Sequence, residues 1–286
     1  MTLGATVARS QLFGRVARLA VADRSRAPEQ GTEFEGFRMV FDVEKTSSRS
    51  PNPLRLQIFN VADAQSRAVF TRGARLRLSA GYLDSESILF LGEVDTVEHY
   101  RDGADSITEL TARDGSAAFE AYLSRQWGAG ASWRTIVREV ASAMGLQISD
   151  ATLARIEGAP AYGLAAEGLA YRELDTIARS LSMSWTIDAG EIVAIPIGEA
   201  GSRLVVDVNA GTGMIGTPAR IEPTRRLRRQ RAAFAVAMNP RLRAGSLVRI
   251  ASSRVNGLHR VDRATHVGDT HGDQWITECE ATEVPA

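Results

Sequence analysis

The chain has 286 residues, 44% of them hydrophobic and 24% charged, with 34 basic residues against 34 acidic ones. That length gives room for two or three modest domains with real cores, and the composition is that of an ordinary globular protein, which excludes fibrous and disordered classes. Zero net charge removes any whole-protein argument for nucleic acid, and a single cysteine, Cys279, excludes an internal disulfide and a multi-cysteine metal site.

No run of 18 apolar residues occurs, so no membrane-spanning helix is expected. The start, Met1-Thr-Leu-Gly-Ala-Thr-Val-Ala-Arg, lacks a basic stretch followed by an apolar block, so no secretory signal is expected. Leu12 to Asp23 reads as a first strand, and Phe34 to Glu44 places large residues at period two, which predicts a second. Pro51 and Pro53 mark a break, after which Leu54 to Asn60 resumes the alternation. Three alternating pieces follow: Gly73–Leu78, then Gly92–His99 at the end of a strand starting at Ile88, then Ile107–Ala112. The apolar run Ile88-Leu-Phe-Leu predicts cover on both faces. Five or six strands in so short a stretch fit a small antiparallel barrel or sandwich.

At Asp114-Gly-Ser116 the period changes. Apolar residues in Trp133–Met144 recur at helical spacing, with Ser132 as N-cap and Gly145 at the C-terminal end. A second helix is predicted over about Ala170–Ser182, then a hairpin of Met183–Ile187 and Glu191–Ile195 about Asp188-Ala-Gly190. Leu204–Asn209 reads as a strand. The glycine-rich Gly211–Pro218 is a tight connection and not a phosphate loop, because no helical pattern follows it. The cluster Arg225, Arg226, Arg228, Arg229 and Arg231 precedes a strand at Ala232–Met238.

The closing stretch repeats the earlier meander. Gly245–Ile250, Gly257–His266 and Ile276–Ala281 match the three earlier pieces at offsets of 172, 167 and 169 residues, with Val-Asp-x-x-x-His and Ile-Thr-Glu-x-x-Ala in common. Any two meanders look somewhat alike, but the order of the matched pieces favours a duplicated module, and a duplication lets a few chains build a ring with twice as many near-equivalent positions. The predicted fold is mainly β with an α+β insert: two similar small antiparallel β-barrels, 1–115 and 199–286, flanking a helix-helix-hairpin domain, 116–198.

Chemistry is scarce. There is no Gly-x-Ser-x-Gly elbow, His-Glu-x-x-His pair or phosphate-loop lysine, so no catalytic residue and no cofactor is expected. His266, Asp269, His271 and Asp273 could hold a divalent ion, but the spacing matches no recurrent signature and the glycines among them suit a solvated hairpin; no metal site is assigned. Lys45 is the sole lysine. Acidic residues dominate Ile88–Glu120, whereas Pro223–Val261 has ten arginines and no acid. That division suggests a head-to-tail contact between neighbouring chains, with Arg225, Arg226, Arg228, Arg229 and Arg231 meeting Glu93, Asp95, Glu98 and Glu109. Two independently solvated faces are the alternative.

Leu89-Phe-Leu-Gly-Glu-Val-Asp, Ile107-Thr-Glu-Leu-Thr-Ala-Arg-Asp-Gly115, Met183-Ser-Trp-Thr-Ile, Gly213-Met-Ile-Gly-Thr-Pro218 and Gly257-Leu-His-Arg-Val, continued by His266-Val-Gly-Asp-Thr and Trp275-Ile-Thr, stand in an order that resembles the baseplate or tail hub proteins of tailed bacteriophages and related contractile injection particles. The resemblance covers most of the chain from about Leu54. It implies two tail-tube-like barrels with an α/β insert, and a homotrimer whose six barrels match a hexameric tail tube on one side and a threefold spike on the other. Implied partners are the tail tube protein, the spike or tip protein, other baseplate proteins and the tape-measure protein. DNA would pass through the lumen without specific binding, in a virion tail assembled in the host cytoplasm. The family carries no catalytic residues to transfer; some relatives have a fused lysozyme-like domain, for which this chain has no length left. Two other functions stay open: a sequence-independent nucleic-acid binder using 220–243, poorly supplied with aromatics for stacking, and a tail-tip cell-wall hydrolase.

Overall fold

The computed structural model of the chain describes residues 12–46, 50–197, 205–222 and 229–284. The first module contains β1 (Arg15–Ala22), β2 (Thr32–Glu35), β3 (Met39–Thr46), β4 (Pro53–Phe59), α1 (Asp63–Val69), β5 (Arg75–Tyr82), β6 (Ser87–Asp102) and β7 (Asp105–Arg113). Its strands lie in the order β3-β4-β7-β6-β5-β1-β2. β2 and β3 are thus opposite ends of a seven-strand row, which laid flat would stand about 29 Å apart. Only residues 36–38 join them, a reach of about 14 Å, so the sheet must roll. The roll encloses one core, in which Leu19, Phe34, Phe41, Leu56, Leu78 and Phe90 are buried.

The insert follows: β8 (Tyr122–Trp127), α2 (Trp133–Ala143), β9 (Gln147–Ile148), α3 (Asp150–Leu153), β10 (Leu164–Leu169), α4 (Ala170–Ser180), β11 (Met183–Asp188) and β12 (Glu191–Pro196). Ser132 caps α2 by accepting a hydrogen bond from the Thr135 N–H at 3.2 Å, and Gly145 closes it at φ +70. Ile136, Val140, Leu174 and Ile177 of the two long helices pack on Trp185 and Ile192 of the β11–β12 hairpin. Ala189 and Gly190, both at positive φ, make its two-residue turn. The two helices and the hairpin lie where the periodicity places them; β8, α3 and β10 carry no such period.

The last module contains β13 (Val205–Val208), β14 (Met214–Ile221), β15 (Arg231–Ala237), β16 (Leu247–Ala251), β17 (Asn256–Asp269) and β18 (Trp275–Glu283). Here β13-β16-β17-β18-β15-β14 is the order. The ends of this row are again consecutive in the chain, and the Met214 N–H bonds the Asn209 carbonyl at 3.1 Å across the short connection. Val208, Phe234, Val248, Ile250, Val261 and Cys279 form its core.

The duplication holds at the level of single bonds. Both meanders bulge at the Asp of the shared Val-Asp pair: the register slips between Val94 and Thr96 on β6, and between Val261 and Arg263 on β17. Before each bulge the same two backbone bonds close: Gly73 N–H to Val94 O (2.8 Å) and Val94 N–H to Ala74 O (2.9 Å), matched by Gly245 to Val261 (2.7 Å) and Val261 to Ser246 (2.9 Å). After it a histidine meets a threonine of the next strand, His99 with Thr108 at 3.2 Å and His266 with Thr277 at 2.9 Å.

Four features depart from the sequence reading. Phe34–Glu44 is two strands, because Gly36 at φ +78 turns the chain between them. Helix α1 is unforeseen, being too short for a period to register. Ile88 is 36% exposed while Leu89 and Phe90 are buried, so cover on both faces begins one residue late. The two modules are also not separate sheets. β13 pairs with β16 in parallel, and the second half of β17 pairs with β3 from Arg263↔Thr46 to Asp269↔Val40, making one sheet of thirteen strands.

That seam depends on a bare glycine. A Cβ at Gly268 would lie 2.3 Å from Cζ of the Phe41 ring, which is itself buried edge-on against Trp275. Gly268→Val is therefore expected to lower stability by about 1–3 kcal/mol through overpacking, read as a drop in the urea midpoint.

Candidate functional site

The four residues weighed as ion ligands, and not assigned as such, do not converge among the described residues. His266 is fully buried, Asp269 is ion-paired with Arg38 at 2.9 Å, and His271 and Asp273 are exposed. Cys279 is a buried core residue whose thiol burial pushes up beyond ordinary titration. The charged residues expected at a contact are placed as follows. Arg225, Arg226 and Arg228 lie outside the described residues. Arg229 and Glu98 are exposed, and Glu93 is half-buried. Arg231 is ion-paired with Glu280 at 2.5 Å, Asp95 with Arg113, and Glu109 accepts from Gln57 at 2.9 Å and from Tyr100 at 3.0 Å.

A different constellation gathers where the three cores meet. In β3 the inward positions Met39, Phe41 and Val43 continue to Lys45, whose residue is only 2% exposed. Its Nζ lies 3.3 Å from Asp114 Oδ2, just past β7, and 3.1 Å from Asp188 Oδ1, at the end of β11. The Phe90 ring centroid is 5.4 Å from the same nitrogen. Arg243, from the loop before β16, bonds the other oxygen of Asp188 at 2.6 Å and donates to the Ile88 carbonyl of β6 at 2.8 Å. Each module thus supplies a charge that another module neutralises.

Neutral bonds surround the charges. Asn52 donates to the Ile187 carbonyl at 2.9 Å and accepts from the Thr46 N–H at 2.9 Å, and Thr186 donates to the Thr46 carbonyl at 3.0 Å. A cavity of about 20 Å³ lies among Lys45, Asn52, Thr186, Asp188 and Arg243. Burial pushes the Asp114 carboxyl up, against the pull of the Lys45 ammonium. Burial acts on Asp188 in the same sense, but Lys45 and Arg243 outweigh it and hold that carboxyl below its ordinary value. Behind the cluster His266 is held neutral, lowered to about 3 by burial first and then by Lys45 and Arg243. Asp114 Oδ1 and His266 Nε2 have no hydrogen-bond partner among the described residues, and Asp188 Oδ1 has only the Lys45 ammonium.

Sequence reading saw Lys45 only as the sole lysine, and Asp114 and Asp188 only as turn residues. One signal was available: a charged residue in the inward register of an alternating strand, which is rare unless a partner neutralises it. Which acids supply the partner depends on chain segments 69 residues away and further.

No protein-family model matches the sequence, and no curated protein matches it. Solved structures do. A 43 kDa tail protein of prophage MuSo2 from Shewanella oneidensis superposes with a TM-score of 0.65 over 94% of this chain and 97% of its own, at 12% identity. A tail protein from Neisseria meningitidis gives 0.63 over 95% and 97%, at 11% identity. An Escherichia coli component of the type VI secretion system, itself similar in structure to T4 bacteriophage tail proteins, gives 0.53 over 87% and 76%, at 11% identity. At such identities the likeness is one of fold: along nearly its whole length, the chain has the fold of phage tail proteins.

Proposed function

We propose that the protein is a structural component of a phage-type tail or baseplate, and within it the hub. A homotrimer would present six near-equivalent barrel modules, matching a sixfold tail tube on one face and a threefold spike or tip on the other. The observation that carries this reading is the bond-for-bond duplication of the meander in a chain with the fold of tail proteins. The three buried cores support a division into 1–115, 116–198 and 199–286. The shared seam and the buried charges support modules held at a fixed angle, as a symmetry adaptor needs. Its partners would be the tube, the spike or tip, other baseplate proteins and the tape-measure protein, in a virion tail assembled in the host cytoplasm. DNA would pass without specific contact, and no catalysis is assigned.

The Arg225–Arg231 stretch would meet Glu93, Asp95, Glu98 and Glu109 of a neighbouring chain. Arg231 and Asp95 already have partners within their own chain, so Arg229 and Glu98, both exposed, are the first pair to test. Neither alternative gains from a specific observation. In 220–243, Arg231 and Arg243 are engaged by carboxylates.

Quantitative mass spectrometry of sedimented particles from the source organism tests the reading. Half as many copies as one ring of the tube protein is the expected result. Absence from the particles would overturn it.

A further inference from the structure

We propose that Lys45 and Asp114 condense to an intramolecular isopeptide bond, with Asp188 carrying the proton. The geometry supplies the three participants. The amine lies 3.3 Å from one oxygen of Asp114 and 3.1 Å from Asp188 Oδ1, all three side chains are withdrawn from solvent, and the wall beside the amine is the Phe90 ring. Both Asp114 Oδ1 and Asp188 Oδ1 lack any other hydrogen-bond partner among the described residues, so neither is committed elsewhere.

The balance is that of an acid and an amine giving an amide and water. The Lys45 ammonium first returns one proton to the Asp114 carboxylate, leaving amine and carboxylic acid. Nζ attacks Cγ of Asp114, the N–C bond forms, and a second nitrogen proton passes to Asp188 Oδ1. Asp188 then gives that proton to the departing hydroxyl, the C–O bond breaks, and water leaves. The adjacent cavity of about 20 Å³ is large enough for that one water. No oxidant, reductant or cofactor is needed.

Charge bookkeeping favours the product. As ions, Lys45 and Asp114 are a buried pair whose dehydration opposes their attraction. The amide removes both charges and leaves Asp188 and Arg243, 2.6 Å apart, as the matched pair. The bond would tie β3 to the end of β7, closing a loop of 69 residues at the point where the insert docks.

The test is the mass of the purified full-length chain, followed by trypsin digestion. The expected major species is lighter than the sequence mass by one water. Cleavage after Lys45 should be blocked, with residues 39–49 and 114–125 recovered as one branched peptide. A major species at full sequence mass overturns the proposal. Loss of water with the two peptides recovered separately also overturns it, because cyclisation at Asp114-Gly115 would lose the same mass without joining them. Asp188→Asn is expected to restore the full mass, and a branched peptide in that variant would remove Asp188 from the reaction.

Discussion

Asp188→Ala is expected to destabilise the chain by about 3–5 kcal/mol, the range found when one partner of a buried ion pair is removed. The carboxylate side chain is 14% exposed and accepts from Arg243 at 2.6 Å and from Lys45 at 3.1 Å. Its removal leaves the partly buried Arg243 guanidinium without its carboxylate, whether or not Lys45 is joined to Asp114. It also removes the hairpin's charged contact with both other modules, leaving the neutral bonds of Asn52 and Thr186 to hold it to the first. Urea unfolding at neutral pH reads the loss. The exposed pair Arg249–Asp207, at 3.4 Å and with the arginine side chain 63% exposed, is the control. Asp207→Ala should change stability by less than about 1 kcal/mol. Equal effects from the two substitutions would remove the buried cluster as an organising feature.

Acid should unfold the chain through His266. Its folded-state value, about 3, lies below the ordinary histidine value near 6.5, so the unfolded state binds more protons between those limits. The contribution is fully present above about pH 6.5 and is lost as pH falls toward 3, at about 1.4 kcal/mol per pH unit. Its physical origin is enclosure. The ring is completely buried, with Nδ1 2.9 Å from Thr277 Oγ1, and protonation would place a charge beside Lys45 and Arg243. Carboxylates such as Asp188 and Asp269, held low in the folded state, add their own acid sensitivity at lower pH. The diagnostic quantity is therefore the difference between wild type and His266→Gln, which should shrink steadily from pH 6.5 to pH 4. A constant difference would mean that His266 is protonated in the fold. The matched residue His99 is only half-buried and lowered by burial in the same direction, so His99→Gln should give a weaker slope.

The repeat, the α+β insert, its two long helices and its hairpin were legible because each rests on a local period: two for strands, 3.6 for helices, and a turn residue at each boundary. The shared Val-Asp pair falls where both meanders bulge, although the repeat alone does not announce a bulge there. Helix α1, α3 and the break at Gly36 span too few residues for a period to emerge, whereas β8 and β10, as long as the hairpin strands, show no alternation of apolar and polar residues.

The sequence by itself determined that this is a β-rich chain with a duplicated meander and an interposed α+β insert. The tertiary structure alone decided that β17 leaves β16 halfway along to pair with β3, merging two modules into one sheet, because strand partners are chosen across some 220 residues and not by neighbours. It alone decided that the sole lysine faces two aspartates from different segments. Alternation says which side of a strand a charge points to, and only packing says what waits there.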